Sequence, residues 1–324
     1  MIFAGPSGVG KTELALLLAD ILNQPGEKSK PGGGNFLKVD CGKLSTATEV
    51  FGLSGGYQGA EQGSALNNFI LRKSRDKGSL GIVLLDEIEK AEQEVIHALY
   101  LLDKGEWTDK KLVTEGSAAQ THVVPCNNII FVLTTNAATD IIKAYTQEAP
   151  ALYTAEGGSE AETKVQELET VLRVQLQSTH PFTDAFIGRI DRIVPFLPLA
   201  RGSDLSKDHP LTNEAMTAAK ILIEKEQQKL QNDELELNVV QTISASDKHS
   251  MAKLAVALSI EEAGMRSIQK YVATQMGHQM KHALLLEDGG IESGSEVKYA
   301  ADEEAMRVDW RVEASRRKEV KQKS

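Results

Sequence analysis

Cysteine is almost absent from this chain: Cys41 and Cys126 are the only two in 324 residues, far apart and without metal-ligand spacing. That excludes a disulfide framework and fits a reducing compartment. No uninterrupted apolar run approaches the roughly 20 residues that a membrane-spanning helix needs. The opening residues are apolar and run straight into glycines, so the charged region and cleavage pattern of a signal peptide are missing. Positive charge is also scarce. With 36 Lys and Arg against 46 Asp and Glu the net charge is −10, which argues against a general nucleic-acid or anionic-membrane surface. No internal repeat is found. His278 and His282 stand four apart on a helical stretch, but no glutamate or third ligand accompanies them, so they read as a solvated helix face and not a metal site.

The remainder is ordinary globular material, 41% apolar and 25% charged, long enough for one large or two medium domains. Five short apolar runs read as buried strands: "MIFA" (1–4), "FLKVD" (36–40), "IVLLD" (82–86), "IIFVLT" (129–134) and "RIVPF" (192–196). Helical periodicity lies between them, as in "KTELALLLADIL" and "EVIHALYLLDKG". Strands apolar throughout and alternating with helices imply an α/β domain, its parallel sheet covered on both faces. Three segments read as surface insertions, 23–35, 114–127 and 149–162. The pattern changes near 200, after the polar stretch "RGSDLSKDHP". Amphipathic helices follow, with "ELELNVV" and "MRVDWRVEA" as candidate strands. The expected organisation is a large domain over 1–200, a small, mostly helical domain over 201–300, and a strand and solvated basic tail over 301–324.

The densest signal is "GPSGVGKTELA" (5–15). Gly5, Gly10, Lys11 and Thr12 satisfy G-x-x-x-x-G-K-[ST], with Pro6, Ser7, Gly8 and Val9 between them. Glycines let backbone N–H groups turn inward around phosphate oxygens. The helix beginning near Lys11 aims its positive end at the same point. Lys11 then suits the β- and γ-phosphates, and the Thr12 hydroxyl suits Mg²⁺. Downstream, "GIVLLDEIEK" ends a buried strand in Asp86 and Glu87. The first can hold the Mg²⁺ shell and the second can polarise an attacking water. "IIFVLTTN" ends another strand in Asn136, beside Glu87 if the two strands are neighbours. An ordinary strand-ending turn would look the same.

On these residues the chain resembles the Clp-type unfoldase branch of the AAA+ ATPases, most closely the second ATPase module of ClpB-like disaggregases. The likeness runs from residue 1 to about 290 through "GPSGVGKTELA", "LLDEIEKA", "LLDKGEWTD", "LTTN", "FTDAFIGRID" and "AGMRSIQKYV". It implies a P-loop NTPase sheet followed by a helical lid, with ATP and Mg²⁺ as cofactors. By the resemblance Lys11 and Thr12 are the Walker A pair and Asp86 and Glu87 the Walker B pair. Asn136 then falls at the first sensor, Arg189 at the arginine finger and Arg266 at the second sensor. Tyr57, in "GGYQGAEQG", falls in the loop that grips polypeptide in the ring's pore. Gly188 and Asp184 stand where the family has asparagine and proline, and Met265 and Ser267 replace the usual neighbours of the second sensor. The family's helical segment ahead of the first strand is missing, so the chain is expected to be truncated at its N-terminus.

The implied function is ATP hydrolysis coupled to unfolding or disaggregating proteins. The partners would be other copies of the chain in a ring, a hexamer, and unfolded or aggregated polypeptide, with no nucleic acid and no membrane. One alternative is a non-hydrolysing AAA+ scaffold; another is an unfoldase feeding a compartmental protease, although no apolar-Gly-apolar docking tripeptide occurs in 137–180. The expected location is cytoplasmic, with a mitochondrial one as the alternative.

Overall fold

The computed structural model describes residues 1–22, 34–52, 62–76, 80–109, 122–148, 159–198, 210–232, 240–257, 264–285, 295–300 and 311–316. They fall into two compact units, Met1–Pro198 and Leu199–Ser324.

In the first unit, β1 (Ile2–Ala4) leads through the glycine loop into α1 (Lys11–Leu22). Next come β2 (Phe36–Asp40), α2 (Ala47–Phe51), α3 (Ala65–Arg75) and β3 (Gly81–Asp86). Helix α4 (Gln93–Ala98) continues as a 3₁₀ turn over Leu99–Lys104 into the antiparallel pair β4 (Glu106–Asp109) and β5 (His122–Pro125). The unit closes with β6 (Ile129–Thr135), α5 (Thr139–Glu148), α6 (Ser159–Gln177), α7 (Asp184–Ile187) and β7 (Ile193–Pro195).

Strands β2, β3, β6, β1 and β7 form one parallel sheet in that order. The side-chain period of two explains why these runs are apolar throughout. Val83 and Leu85 face one side, packed with Ile2, Leu133 and the helices after β2. Ile82, Leu84, Phe3 and Val132 face the other, against Ala15 and Ala19 of α1. All four apolar residues of β3 are at most 1% exposed; truncating one, as in Leu84→Ala, costs about 2–5 kcal/mol. Small residues at 15 and 19 let α1 lie close on the sheet, which brings its first turn to the carboxyl end of β1.

The second unit carries α8 (Pro210–Asn232), β8 (Val240–Ile243), α9 (Ala245–Ala257), α10 (Met265–Leu285), β9 (Ser295–Ala300) and β10 (Arg311–Arg316). Its three strands run in the order β10-β9-β8, with β8 parallel and β10 antiparallel to β9. Ile223, Met251, Ile268, Val272, Met276 and Val297 make its core.

Some local expectations differ from what forms. The stretch 114–127 is not all surface insertion, because His122–Pro125 pairs with Glu106–Asp109. Three residues of "HVV" are too few to show a period. Ser159 starts α6 inside the third expected insertion. "ELELNVV" contributes only Val240 to the described residues, and β9, with just two large apolar residues in "SEVKYA", carries little strand signal.

Candidate functional site

Three neighbouring strands, β3, β6 and β1, deliver their carboxyl ends to one edge of the sheet. Ala4 of β1 pairs with Thr135 of β6, and Leu85 of β3 with Leu133. Gly5, Asn136 and Asp86–Glu87 therefore leave the sheet side by side. Residues Gly5, Pro6, Ser7, Gly8, Val9 and Gly10 form the turn into α1, with φ of +75° at Gly8 and +95° at Gly10. L-residues with a side chain resist that region, and a Cβ at Gly10 would point into open space. Lys11 begins the helix, is 9% exposed, and donates to the carbonyls of Gly5 and Pro6, both at 2.7 Å. Its third hydrogen bond, 2.9 Å, goes to Asn136 Oδ1. Thr12, half-buried, follows in the first turn.

The acidic side is held as tightly. Asp86 accepts from Thr134 Oγ1 at 2.5 Å and pairs with Lys38 Nζ at 2.6 Å. Thr134 Oγ1 in turn accepts the Glu87 backbone N–H at 2.9 Å, so one threonine on β6 fixes the turn after β3. Glu87 sits in the left-handed region at φ 55°, ψ 51°, and its Oε2 pairs with Lys90 Nζ at 2.7 Å. That bond raises the Lys90 pKa. Glu89 Oε1 accepts both the backbone N–H of Asn136 at 3.0 Å and its Nδ2 at 3.1 Å. The thiol of Cys41 is pushed up to about 12, first by burial and then by the carboxylates of Asp86, Asp40, Glu89 and Glu87.

This arrangement sorts charge. An ammonium, a helix N-terminus and inward-turning glycines lie on one side, and two carboxylates lie on the next-but-one strand. The cationic side suits phosphate oxygens and the Asp86 carboxylate a hard cation. Among the described residues no three His, Cys, Asp or Glu side chains gather as a metal cluster. Mg²⁺ needs none, since it is ordinarily held by one or two protein groups plus phosphate oxygens and water. The residues present fit a Mg²⁺–nucleoside phosphate pair.

Arg189, also in the first unit, is not gathered here. Arg189 follows α7; its Nε pairs with Asp103 Oδ2 at 3.0 Å and its Nη1 donates to Ala185 O at 2.5 Å. Its guanidinium lies over the Tyr100 ring, 4.8 Å from the centroid, beside a cavity of about 440 Å³ lined by Leu102, Phe131 and Phe186. Arg266 is exposed in the first turn of α10, in the second unit. Tyr57 lies outside the described residues. The chain on either side of it, however, is pinched: a Cβ at Gly52 (φ +87°) would stand 2.8 Å from Gly63 Cα and 2.9 Å from Ser64 N. Ser64 Oγ also donates to Val50 O at 2.5 Å while accepting from Asn67 N, which caps α3.

Sequence reasoning passed over four residues: Lys38, Glu89 and Thr134, which shape this edge, and Asp103, which holds Arg189 elsewhere in the unit. Lys38 carried a signal, as the one charge inside an otherwise apolar strand run before Asp40. Glu89 did too, as a third acid in "DEIE" spaced to return toward the sheet. Thr134 and Asp103 stand out only once β3, β6 and α7 are placed.

The family model described as AAA domain (Cdc48 subfamily) matches residues 1–193. The chain is 34% identical over 200 residues to the chaperone protein ClpB of Chlamydia caviae, covering 61% of this chain and 20% of that protein. It is 32% identical over 205 residues to the probable chaperone protein ClpB 1 of Chlorobaculum tepidum, covering 62% and 40%. To the ATP-dependent protease ATP-binding subunit-like protein AmiB of Pseudomonas aeruginosa it is 34% identical over 205 residues, covering 60% and 49%. Among solved structures, a closed-state cryo-EM reconstruction of Hsp104 with ATPyS and FITC casein superposes with a TM-score of 0.61. That likeness covers 97% of this chain and 44% of the other at 18% identity, and it is a likeness of fold. The chain thus spans between a fifth and a half of the length of these curated relatives.

Proposed function

Because the chain belongs to the AAA domain family, Cdc48 subfamily, we propose that it is the ATP-hydrolysing module of a Clp-type, ring-forming protein unfoldase or disaggregase. The observation that carries this reading is the run of three adjacent strand ends, presenting Lys11, Asn136 and Asp86–Glu87 along one edge.

Each residue has a role that its chemistry suits. Lys11 and the glycine loop hold phosphate oxygens, and Thr12 and Asp86 hold Mg²⁺. Bound Mg·ATP supplies the phosphoanhydride bond whose hydrolysis drives the cycle. Glu87 takes a proton from water, and Asn136 orients that water. Arg189, held by Asp103 on the flank of the same unit, serves the nucleotide of a neighbouring copy in a hexameric ring. Arg266 serves as the second sensor, carried by the small domain, read as a lid over 201–300, with 301–324 as its appended strand and tail. Tyr57 grips the polypeptide. The module works in the cytoplasm on unfolded or aggregated protein and binds neither nucleic acid nor membrane.

Steady-state ATPase assays with and without an unfolded protein test this. Glu87→Gln should retain ATP and lower hydrolysis about 100-fold or more, whereas Lys11→Ala should weaken binding itself. Arg189→Ala mixed with Lys11→Ala should recover activity, since intact shared sites then form between copies. Nucleotide binding with no hydrolysis by the parent in an assembled ring would replace this reading with that of a scaffold.

A further inference from the structure

The Asn136 amide is bracketed by two groups of opposite hydrogen-bonding character. On one side Lys11 Nζ, which can only donate, lies 2.9 Å from Oδ1. On the other, Glu89 Oε1, which as a carboxylate can only accept, takes both the backbone N–H and Nδ2. Turned by half a revolution, the amide would set donor against donor and acceptor against acceptor. The second oxygen, Glu89 Oε2, is buried without a hydrogen-bond partner. A buried carboxylate oxygen left unmatched is costly, and such exceptions call for a reason.

We infer that Glu89 is a positioning residue that sets the polarity of Asn136, keeping its oxygen toward the site when Lys11 turns to a phosphate. Asn136 thereby faces the site as an acceptor for a water O–H and not as a donor to a phosphate oxygen. The inference rests on the ATPase reading above, but its structural half can be measured on the nucleotide-free chain.

The experiment compares the parent with Glu89→Met, which keeps length without an acceptor, and Glu89→Gln, which keeps an acceptor without the charge. Amide hydrogen exchange, read at Asn136 by NMR, should accelerate about 10-fold or more in Glu89→Met and stay near the parent rate in Glu89→Gln. The amide of Leu133, bonded to Met1 O, should exchange as in the parent and so reports an intact sheet. Unchanged exchange at Asn136 in Glu89→Met overturns the inference. In ATPase assays Glu89→Met should lower kcat about 10- to 100-fold with nucleotide affinity within about threefold. Added to Asn136→Ala, it should cost nothing further. Additive losses, or a normal kcat in Glu89→Met alongside a damaged Asn136→Ala, also overturn it. A parent that hydrolyses no ATP sinks the functional reading, while exchange at Asn136 still decides whether Glu89 holds that residue.

Discussion

Replacing Glu87 by glycine removes the most reactive carboxylate proposed for this protein, yet the fold should tolerate it. Glu87 holds φ 55°, ψ 51°, the one positive φ among the described residues other than glycine. An L-residue there costs about 1–2 kcal/mol. Glycine removes that strain but adds about 0.5–1 kcal/mol of chain entropy to the unfolded state. The side chain's ion-pair partner, Lys90, is 56% exposed and Glu87 itself 35%, so the pair contributes little. The turn keeps its anchor, because the bond to Thr134 Oγ1 comes from the backbone N–H of residue 87. The balance is a change of about 0 to 1 kcal/mol in favour of Glu87→Gly, or a rise of up to about 4 °C in melting temperature. Hydrolysis should fall about 100-fold or more in the same variant. Glu87→Val, branched at Cβ and ill-suited to the left-handed region, should lose more than about 1 kcal/mol. Urea unfolding with an unchanged slope, run beside the ATPase assay, makes the comparison. A glycine variant more than about 1 kcal/mol less stable than the parent, or a valine variant equal to it, would refute the claim that this turn stores strain.

Three further outcomes follow from the geometry. Lys38→Met should lower stability by about 1 kcal/mol in chelator, a figure already discounted for a lysine 38% exposed. Mg²⁺ should restore most of that loss by replacing the missing cation at Asp86; an equal loss with and without Mg²⁺ would contradict the pairing. Gly52→Ala should destabilise by about 2 kcal/mol or more, since it meets backbone at 2.8 Å with φ at +87°. Trp107 emission should shift with it, because that ring packs 4.7 Å from Phe51; parental stability and emission would disprove the pinch. Cys41, fully buried with its pKa pushed up to about 12, should resist alkylation at pH 8 until the chain unfolds. The unfolded thiol ionises near about 8.5. This group's contribution to stability is therefore intact below that pH and falls as pH rises toward 12, which alkaline melting curves of Cys41→Ala against the parent would register.

The large sheet was legible because each of its strands is apolar on both faces, a pattern that needs no knowledge of neighbours. All five runs lie within two residues of the strands that form. The glycine loop and "LLDEIE" were legible for another reason, since their chemistry is local in sequence. The hairpin of β4 and β5 was not, because its four-residue strands are stabilised by Trp107 burial and by the chain Trp107–Asn67–Asp109, in which Asn67 lies 40 and 42 residues from its two partners. Asn136 could be placed at a strand end, but its contacts with Lys11 and Glu89 depend on strand order, which hydrophobic periodicity does not encode. Lys38 shows the same limit: a charge in an apolar run is visible, and its partner on the neighbouring strand is not.

The pairing of both carboxylates at the end of β3 with lysines has a consequence for how the site responds to its surroundings. Asp86 has Lys38, Glu87 has Lys90, and Lys11 is held by the Asn136–Glu89 pair. The resting edge of the sheet is thus its own counter-ion. Loading it is an exchange of internal partners for external ones, not the neutralisation of a bare basic surface. Few small ions are displaced when the partners change over, so the ionic-strength dependence of nucleotide affinity should be shallow compared with that of an open lysine patch.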